Sequence, residues 1–196
     1  MNERSFMSKT RLIGTKERID RAALALFAAH GIAETSIRAI ARKAGVALGA
    51  LYNHYESKED LAWTLFASNF SRLGLELQRL ARESGTIDAR LRAMVAYVFG
   101  EFDRDRVLVG YVFLARHQAL PKIKTASANP YLVFRSLIAD AIAEREVPAQ
   151  DVDLATSLVV GAINQVVDTT VLGRIKHDLA GHADRVAGAC LRMLGR

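Results

Sequence analysis

The residues best suited to chemistry fall in one stretch, Ile40 to Leu61, which reads IARKAGVALGALYNHYESKEDL. Its polar end carries Tyr52, Asn53, His54 and Tyr55, with Lys58 following and Arg38 just upstream. Phenol, amide, imidazole, ammonium and guanidinium groups are hydrogen-bond partners for phosphate oxygens and base edges. The chemistry they suggest is recognition rather than bond making. No G-x-S-x-G elbow, P-loop, dinucleotide fingerprint or zinc-ligand spacing occurs in the chain. His177 and His182 stand at i, i+5 with Gly181 between them, which does not put them on one helical face. The sequence therefore leads us to expect no catalytic residue, no metal and no cofactor.

Helices must position these groups, because the apolar spacing is helical wherever it is regular. Ile19, Ala22, Ala23, Leu26 and Phe27 mark a first helix that His30-Gly31 should stop. Thr35 or Ser36 can cap a second, short helix with Ile37, Ile40, Ala41 and Ala44 on its inner face. Gly45 and Val46 form a turn, and a third helix is expected from about Ala47 to His54. Ala41, Gly45 and Leu51 stand in the spacing Ala-x3-Gly-x5-Leu of a helix-turn-helix. Ala41 is small where two helices approach, Gly45 can take positive φ, and Leu51 points into a small core with Ile40 and Phe27. Leu48, Gly49, Tyr52 and Asn53 are then left free to enter a major groove. Ser57-Lys58-Glu59-Asp60 has the form of a capping box opening a long helix to about Arg82.

From about residue 15 to 70 the chain resembles the DNA-binding domain of the tetracycline-repressor-like (TetR) family of transcriptional regulators. The run that carries the likeness is RAALALFAAHGIAETSIRAIARKAGVALGALYNHYESKEDL. The resemblance implies an all-α protein, with an N-terminal three-helix DNA-binding domain and a C-terminal helical ligand-binding and dimerisation domain. It implies a homodimer on a palindromic double-stranded DNA operator, acting as a repressor that a small-molecule effector releases. Carried over, phosphate and base contacts fall on Ser36, Arg38, Tyr52, His54 and Lys58, with Ala47, Leu48, Gly49, Ala50 and Asn53 at the groove surface. The family often has serine at position 47, lysine at 48 and threonine at 50, where this chain has Ala, Leu and Ala. Base reading then falls on Arg38, Asn53 and apolar contact with thymine methyls. Tyr55, four residues after Leu51, is expected to face inward. Lys58 is a cation at the positive end of a helix dipole, a position that a phosphate would explain.

Charge distribution agrees with a polyanion partner. The net charge is +6, and residues 1–55 hold nine Lys/Arg against four acids, so nearly all the excess lies in the first quarter. We expect a basic arm over 1–14, the DNA-binding domain over 15–60 and the regulatory domain over 61–196. The opening residues show no apolar run of signal-peptide type. The apolar stretch LATSLVVGAINQVVDTTVLG is interrupted by Asn164, Gln165 and Asp168, and the single cysteine, Cys190, suits a reducing compartment. The expectation is a cytoplasmic protein with no membrane partner.

The remaining two-thirds read as helices at about 87–102, 106–118, 128–145, 151–172 and 182–194. Phe66, Phe70, Phe99, Phe113 and Phe134 are candidates to line an apolar ligand cavity, each also plausible as core. Arg116, His117, Gln118, Asn164, Gln165 and Asp168 interrupt apolar faces and are candidates for its polar part. Small residues among Val, Ile and Leu in 154–172 and 183–194 suggest two helices that pair with their symmetry mates. The rival reading is a helical small-molecule binding module with no DNA function, which leaves the turn motif and the localised charge unexplained. An enzyme on a helical bundle is a third reading, for which the sequence offers no acid–base or metal constellation.

Overall fold

The computed structural model describes residues 14–119, 129–176 and 178–196. These form two compact units, the first ending at Ala62 and the second running Trp63–Arg196. Among the described residues all regular structure is helical. The expected basic arm at 1–14 lies outside them save Gly14.

In the first unit, α1 (Thr15–Glu34) buries Ile19, Ala22, Ala23, Leu24 and Phe27. Leu24 takes the inward place that periodicity assigned to Leu26, which is only half-buried. The regular helix breaks at Gly31, where φ is 79° and ψ 164°, a conformation that suits glycine because it has no Cβ. Thr35 is buried and donates its hydroxyl to the Gly31 carbonyl at 2.7 Å. Ser36 is therefore the cap of α2 (Ile37–Ala44), its Oγ accepting from the Ala39 N–H at 3.1 Å. Gly45 closes α2 in the left-handed region, at φ 64° and ψ 40°. The Val46 N–H reaches the Ala41 carbonyl and the Gly45 N–H that of Arg42, the paired bonds of a Schellman stop.

α3 (Leu48–Tyr52) has five residues, shorter than the span from 47 to 54 that the sequence suggested. Asn53 and His54 lie in the turn that follows. Leu51, Ile40 and Phe27 are all buried, as is Tyr55. Four side chains tie the small core together. The Arg18 guanidinium donates to the Gly45 carbonyl at 3.1 Å, and the Lys58 ammonium to the Ala33 carbonyl at 3.1 Å. The Tyr55 hydroxyl donates to Asp20 at 2.5 Å, and Lys16 pairs with the same carboxylate at 2.9 Å. Burial, then the Asp20 bond, pushes the Tyr55 phenol up to about 12. The capping box forms: the Asp60 N–H donates to Ser57 Oγ, and the Asp60 carboxylate accepts from the Glu56 N–H.

α4 (Lys58–Ala81) is one unbroken helix, and the division between the units falls within it. The second unit continues with α5 (Ile87–Arg104), α6 (Arg106–Ala119), α7 (Pro130–Ala143), α8 (Val152–Val171), a 3-10 turn (Ala180–His182) and α9 (Ala183–Met193). Each helix starts within two residues of its sequence expectation, since the caps are legible: Thr86, Asn129 followed by Pro130 at the first turn, and Asp151 all accept helix N–H groups. α5 is the central helix, with Leu91, Met94 and Phe99 fully buried, and it packs chiefly against α9. Cys190 of α9 is buried and its thiol is pushed up to about 11 by that burial. Glu146 locks the helix connections by accepting from the Ile87 N–H at 2.7 Å while pairing with Arg90 at 2.6 Å. Asp103 accepts from the N–H groups of Leu179 and Ala180, holding the chain just ahead of α9.

α8 is long and apolar enough to cross a membrane by length and composition, with a mean hydropathy of 1.3 and a third of its apolar window buried. Its exposed side carries Leu154 and Leu158, and Leu172 follows at its end.

Candidate nucleic-acid interface and ligand cavity

The residues singled out for DNA contact share the exterior of the helix-turn-helix. Ser36, Arg38, Ala47, Gly49, Asn53 and His54 are exposed, Tyr52 is 50% exposed, and Leu48, Ala50 and Lys58 are half-buried. Among the described residues, the side chains of Arg38, Tyr52, Asn53 and His54 have no hydrogen-bond or ion-pair partner in the protein. A surface with one guanidinium, one phenol, one amide and one imidazole, all unspent, can satisfy phosphate and base edges at no intramolecular cost. Ser36 Oγ is spent as an acceptor from Ala39, yet its hydroxyl proton remains to donate. Ala47 caps α3 without any side-chain bond, so the first N–H groups of this helix lack the usual local acceptor.

Lys58 differs from its sequence reading in one respect. The helix-dipole argument accounted for it by a phosphate alone, whereas the structure gives its ammonium the Ala33 carbonyl, at the C-terminal end of α1. A helix C-terminus is the negative end, so the cation is stabilised there within the protein.

In the second unit a cavity of about 640 Å³ is lined by Phe70 and Leu73 of α4, Val112 and Phe113 of α6, Asn129–Tyr131 at the start of α7, and one face of α8. That face consists of Val160, Gly161, Asn164, Gln165 and Asp168. Of the residues proposed from sequence, Phe70, Phe113, Asn164, Gln165 and Asp168 meet there. Phe66, Phe99 and Phe134 do not line it: they are 1%, 0% and 3% exposed, Phe66 stacked on Phe70 at 5.1 Å and the other two within the main apolar core. The side chains of Arg116, His117 and Gln118 lie outside the described residues. Tyr131, one of the aromatic residues that the sequence groups as possible cavity lining, is there too. Sequence reasoning missed Asn129 and Pro130, whose only signal was a helix start, and Val160 and Gly161, which share the helical face of Asn164.

The polar groups in the cavity differ in what they have left to offer. Asn129 spends its oxygen on the Tyr131 N–H, the Gln165 amide donates to Thr169, and the Tyr131 hydroxyl bonds Ser157. Asn164 has no hydrogen-bond partner among the described residues, so its amide offers both a donor and an acceptor beside apolar walls. The described residues hold no cluster of His, Cys, Asp and Glu able to bind a metal.

The model for bacterial regulatory proteins of the tetR family matches residues 19–63, which span the helix-turn-helix and the start of α4. The putative mycofactocin biosynthesis transcriptional regulator MftR of Mycobacterium tuberculosis is 30% identical over 131 residues, 67% of this chain. The chain belongs to the tetR family. The match spans 65% of the length of that mycobacterial relative. Likeness of fold to solved structures extends over most of the chain. The fatty acid degradation regulator FadR of Bacillus halodurans superposes with a TM-score of 0.80 at 24% identity, over 90% of this chain and 94% of that one. FadR from Bacillus subtilis, solved in complex with stearoyl-CoA, gives 0.72 at 21% identity, over 88% and 96%. For this tetR-family chain, the exposed helix-turn-helix face and the cavity of the second unit are thus the two candidate sites.

Proposed function

We propose that this chain is a repressor that binds a palindromic DNA operator as a homodimer and leaves it when a mostly apolar effector enters the cavity. The observation that carries this reading is the exposed helix-turn-helix face with Arg38, Tyr52, Asn53 and His54 all unspent. Arg38 and Asn53 read bases, while Ser36, Tyr52, His54 and Lys58 hold phosphates, and Ala47, Leu48, Gly49 and Ala50 lie flush with the groove. DNA as partner places the protein's work in the cytoplasm.

The exposed leucines of α8, with Val186, Ala189 and Met193 of α9, supply an apolar surface for the second copy. The effector lies against Phe70, Leu73 and Phe113 and hydrogen-bonds Asn164. A cavity of this size and apolar lining suits an acyl or aromatic body. The stearoyl-CoA in the Bacillus subtilis neighbour makes long-chain acyl thioesters the first class to try. Because α4 is unbroken from Lys58 to Ala81, displacing Phe70 and Leu73 shifts a helix that begins in the DNA-binding unit. A ligand moves DNA affinity only as far as it binds the two states differently, and a coupling of about 1–3 kcal/mol is ordinary.

Selection of bound sequences from a random duplex pool yields the operator. Acyl thioesters are then titrated into the protein with and without that operator. Reciprocity requires operator to weaken effector binding by the factor with which effector weakens operator. Equal effector affinity in the two titrations rules the mechanism out, and failure to enrich any duplex rules out sequence-specific recognition.

A further inference from the structure

Arg18 stands in the first turn of α1, a cation at the positive end of its own helix, where the helix dipole disfavours it. The acids beside it are engaged elsewhere: Glu17 pairs with Arg21, and Asp20 with Lys16 and the Tyr55 hydroxyl. Among the described residues its guanidinium makes no ion pair, and it donates to the Gly45 carbonyl at 3.1 Å, 27 residues away. Both partners are exposed, so water can replace this bond at little cost in stability. Its consequence is geometric. The Gly45 carbonyl and the Val46 N–H are opposite edges of one rigid peptide plane. The N–H edge is held by the Ala41 carbonyl of α2 at 3.0 Å, and the carbonyl edge by Arg18 of α1. Among the described residues no backbone N–H shares the Gly45 carbonyl, so Arg18 alone holds that edge.

This plane is the joint between the two elements that carry the groups assigned to base reading, Arg38 on α2 and Asn53 at the end of α3. Glycine restricts its own dihedrals least, so at Gly45 the chain itself does least to fix the angle between the helices. α3 cannot correct an error there. It has five residues, and Ala47 caps it without a side-chain bond. Bidentate base contacts tolerate little misplacement, and Arg38 and Asn53 must be in register together. We propose that Arg18 is a positioning residue for operator recognition, one that sets sequence discrimination by pinning the α2–α3 joint without itself reading a base. The proposal rests on the reading of this unit as a sequence-specific duplex binder. Without Arg18 both helices still form, and the groups that hold phosphates stay on the surface. General affinity for duplex DNA is then retained while preference for the operator falls.

The test uses the full chain, the duplex enriched from the random pool and a scrambled duplex of equal length, titrated at several salt concentrations. Arg18→Ala is expected to lower the ratio of operator to scrambled affinity about tenfold, the loss of one base contact, with the salt slope on the scrambled duplex unchanged. Arg18→Lys keeps a donor of similar reach and is expected to recover most of the ratio. An unchanged ratio with a salt slope lowered by about one makes Arg18 a phosphate contact and overturns the proposal. So does a lowered melting temperature with equal loss of affinity for both duplexes, since Arg18 then serves the fold alone. A parent chain that prefers no duplex removes the reading beneath the proposal and the proposal with it. A parent that discriminates, with an Arg18→Ala variant that discriminates equally well, overturns the proposal and leaves that reading standing.

Discussion

In the first unit the groups offered to a partner point outward from a small core clamped by polar bonds. In the second they point inward, around a cavity within a much larger apolar core. The first unit holds its surface in place with Arg18 on the Gly45 carbonyl, Lys58 on the Ala33 carbonyl and Tyr55 on Asp20. Those bonds hold a three-helix arrangement whose recognition helix has five residues, too short to be stable on its own. The second unit has buried aromatic and aliphatic side chains from every helix between α4 and α9. Presentation of a few donors thus rests on local hydrogen bonding, and the walls of the cavity on dispersed apolar packing.

The largest effect that tests this contrast is removal of Leu51, the fully buried residue of α3. Leu51→Ala should cost about 2–5 kcal/mol in the first unit and abolish operator binding. Thermal unfolding followed by circular dichroism should then show an early transition with most helicity retained. One concerted transition would mean that the units are not energetically separate.

Next in size is an alkaline effect that begins in the second unit. The Cys190 thiol rises from 9.0 to about 11 on folding, so the folded state favours its protonated form. The stability this provides is fully present below about pH 9 and is lost as pH rises toward 11. The loss amounts to about 3 kcal/mol at most. Tyr55 and Tyr111, both raised to about 12, add a loss of the same sign only above pH 10. Urea titrations between pH 7 and pH 10 should show the decline in the parent and a flatter profile in Cys190→Ala.

Arg38→Ala should weaken operator binding by about 1–3 kcal/mol and relax preference at one base pair, if the contact is bidentate. Competition between single-base operator variants measures this. The smallest effect is that of Lys58→Ala, which should lower affinity for all duplexes alike and reduce the salt slope by roughly one. An unchanged slope would assign Lys58 wholly to the Ala33 carbonyl.

The two units also differ in how far their sequences disclosed them. The helix-turn-helix was readable because each of its determinants is local: a glycine five residues after Ile40, a leucine six after that, and a capping box. Where local signals were doubled, they were ambiguous. Thr35 and Ser36 both offer a hydroxyl, and only the fold shows Thr35 turned to the Gly31 carbonyl and Ser36 to the Ala39 N–H. The extent of α3 was overestimated because nothing in Asn53-His54 marks a stop.

The cavity was half legible, for a physical reason. Periodicity separates inside from outside, but a cavity wall and a filled core are both inside. Phe66, Phe99 and Phe134 therefore looked like Phe70 and Phe113. Asn164, Gln165 and Asp168 were better guides, since polar groups on an apolar helix face ask for a reason. Asn129 and Pro130 could not be found this way, because they reach the cavity from the start of a different helix.

The grip of Asp103 on the N–H groups of Leu179 and Ala180 bears on how the protein is made. α9, which supplies Ala187, Cys190 and Leu191 to the same core, is synthesised after every other helix of that core. The first unit can fold while the rest is still being translated. The second must wait for α9, on the order of ten seconds later at about 5–20 residues per second. For that interval a nascent chain carries a finished DNA-binding surface attached to an open hydrophobic core, and a message truncated before residue 178 would leave it so.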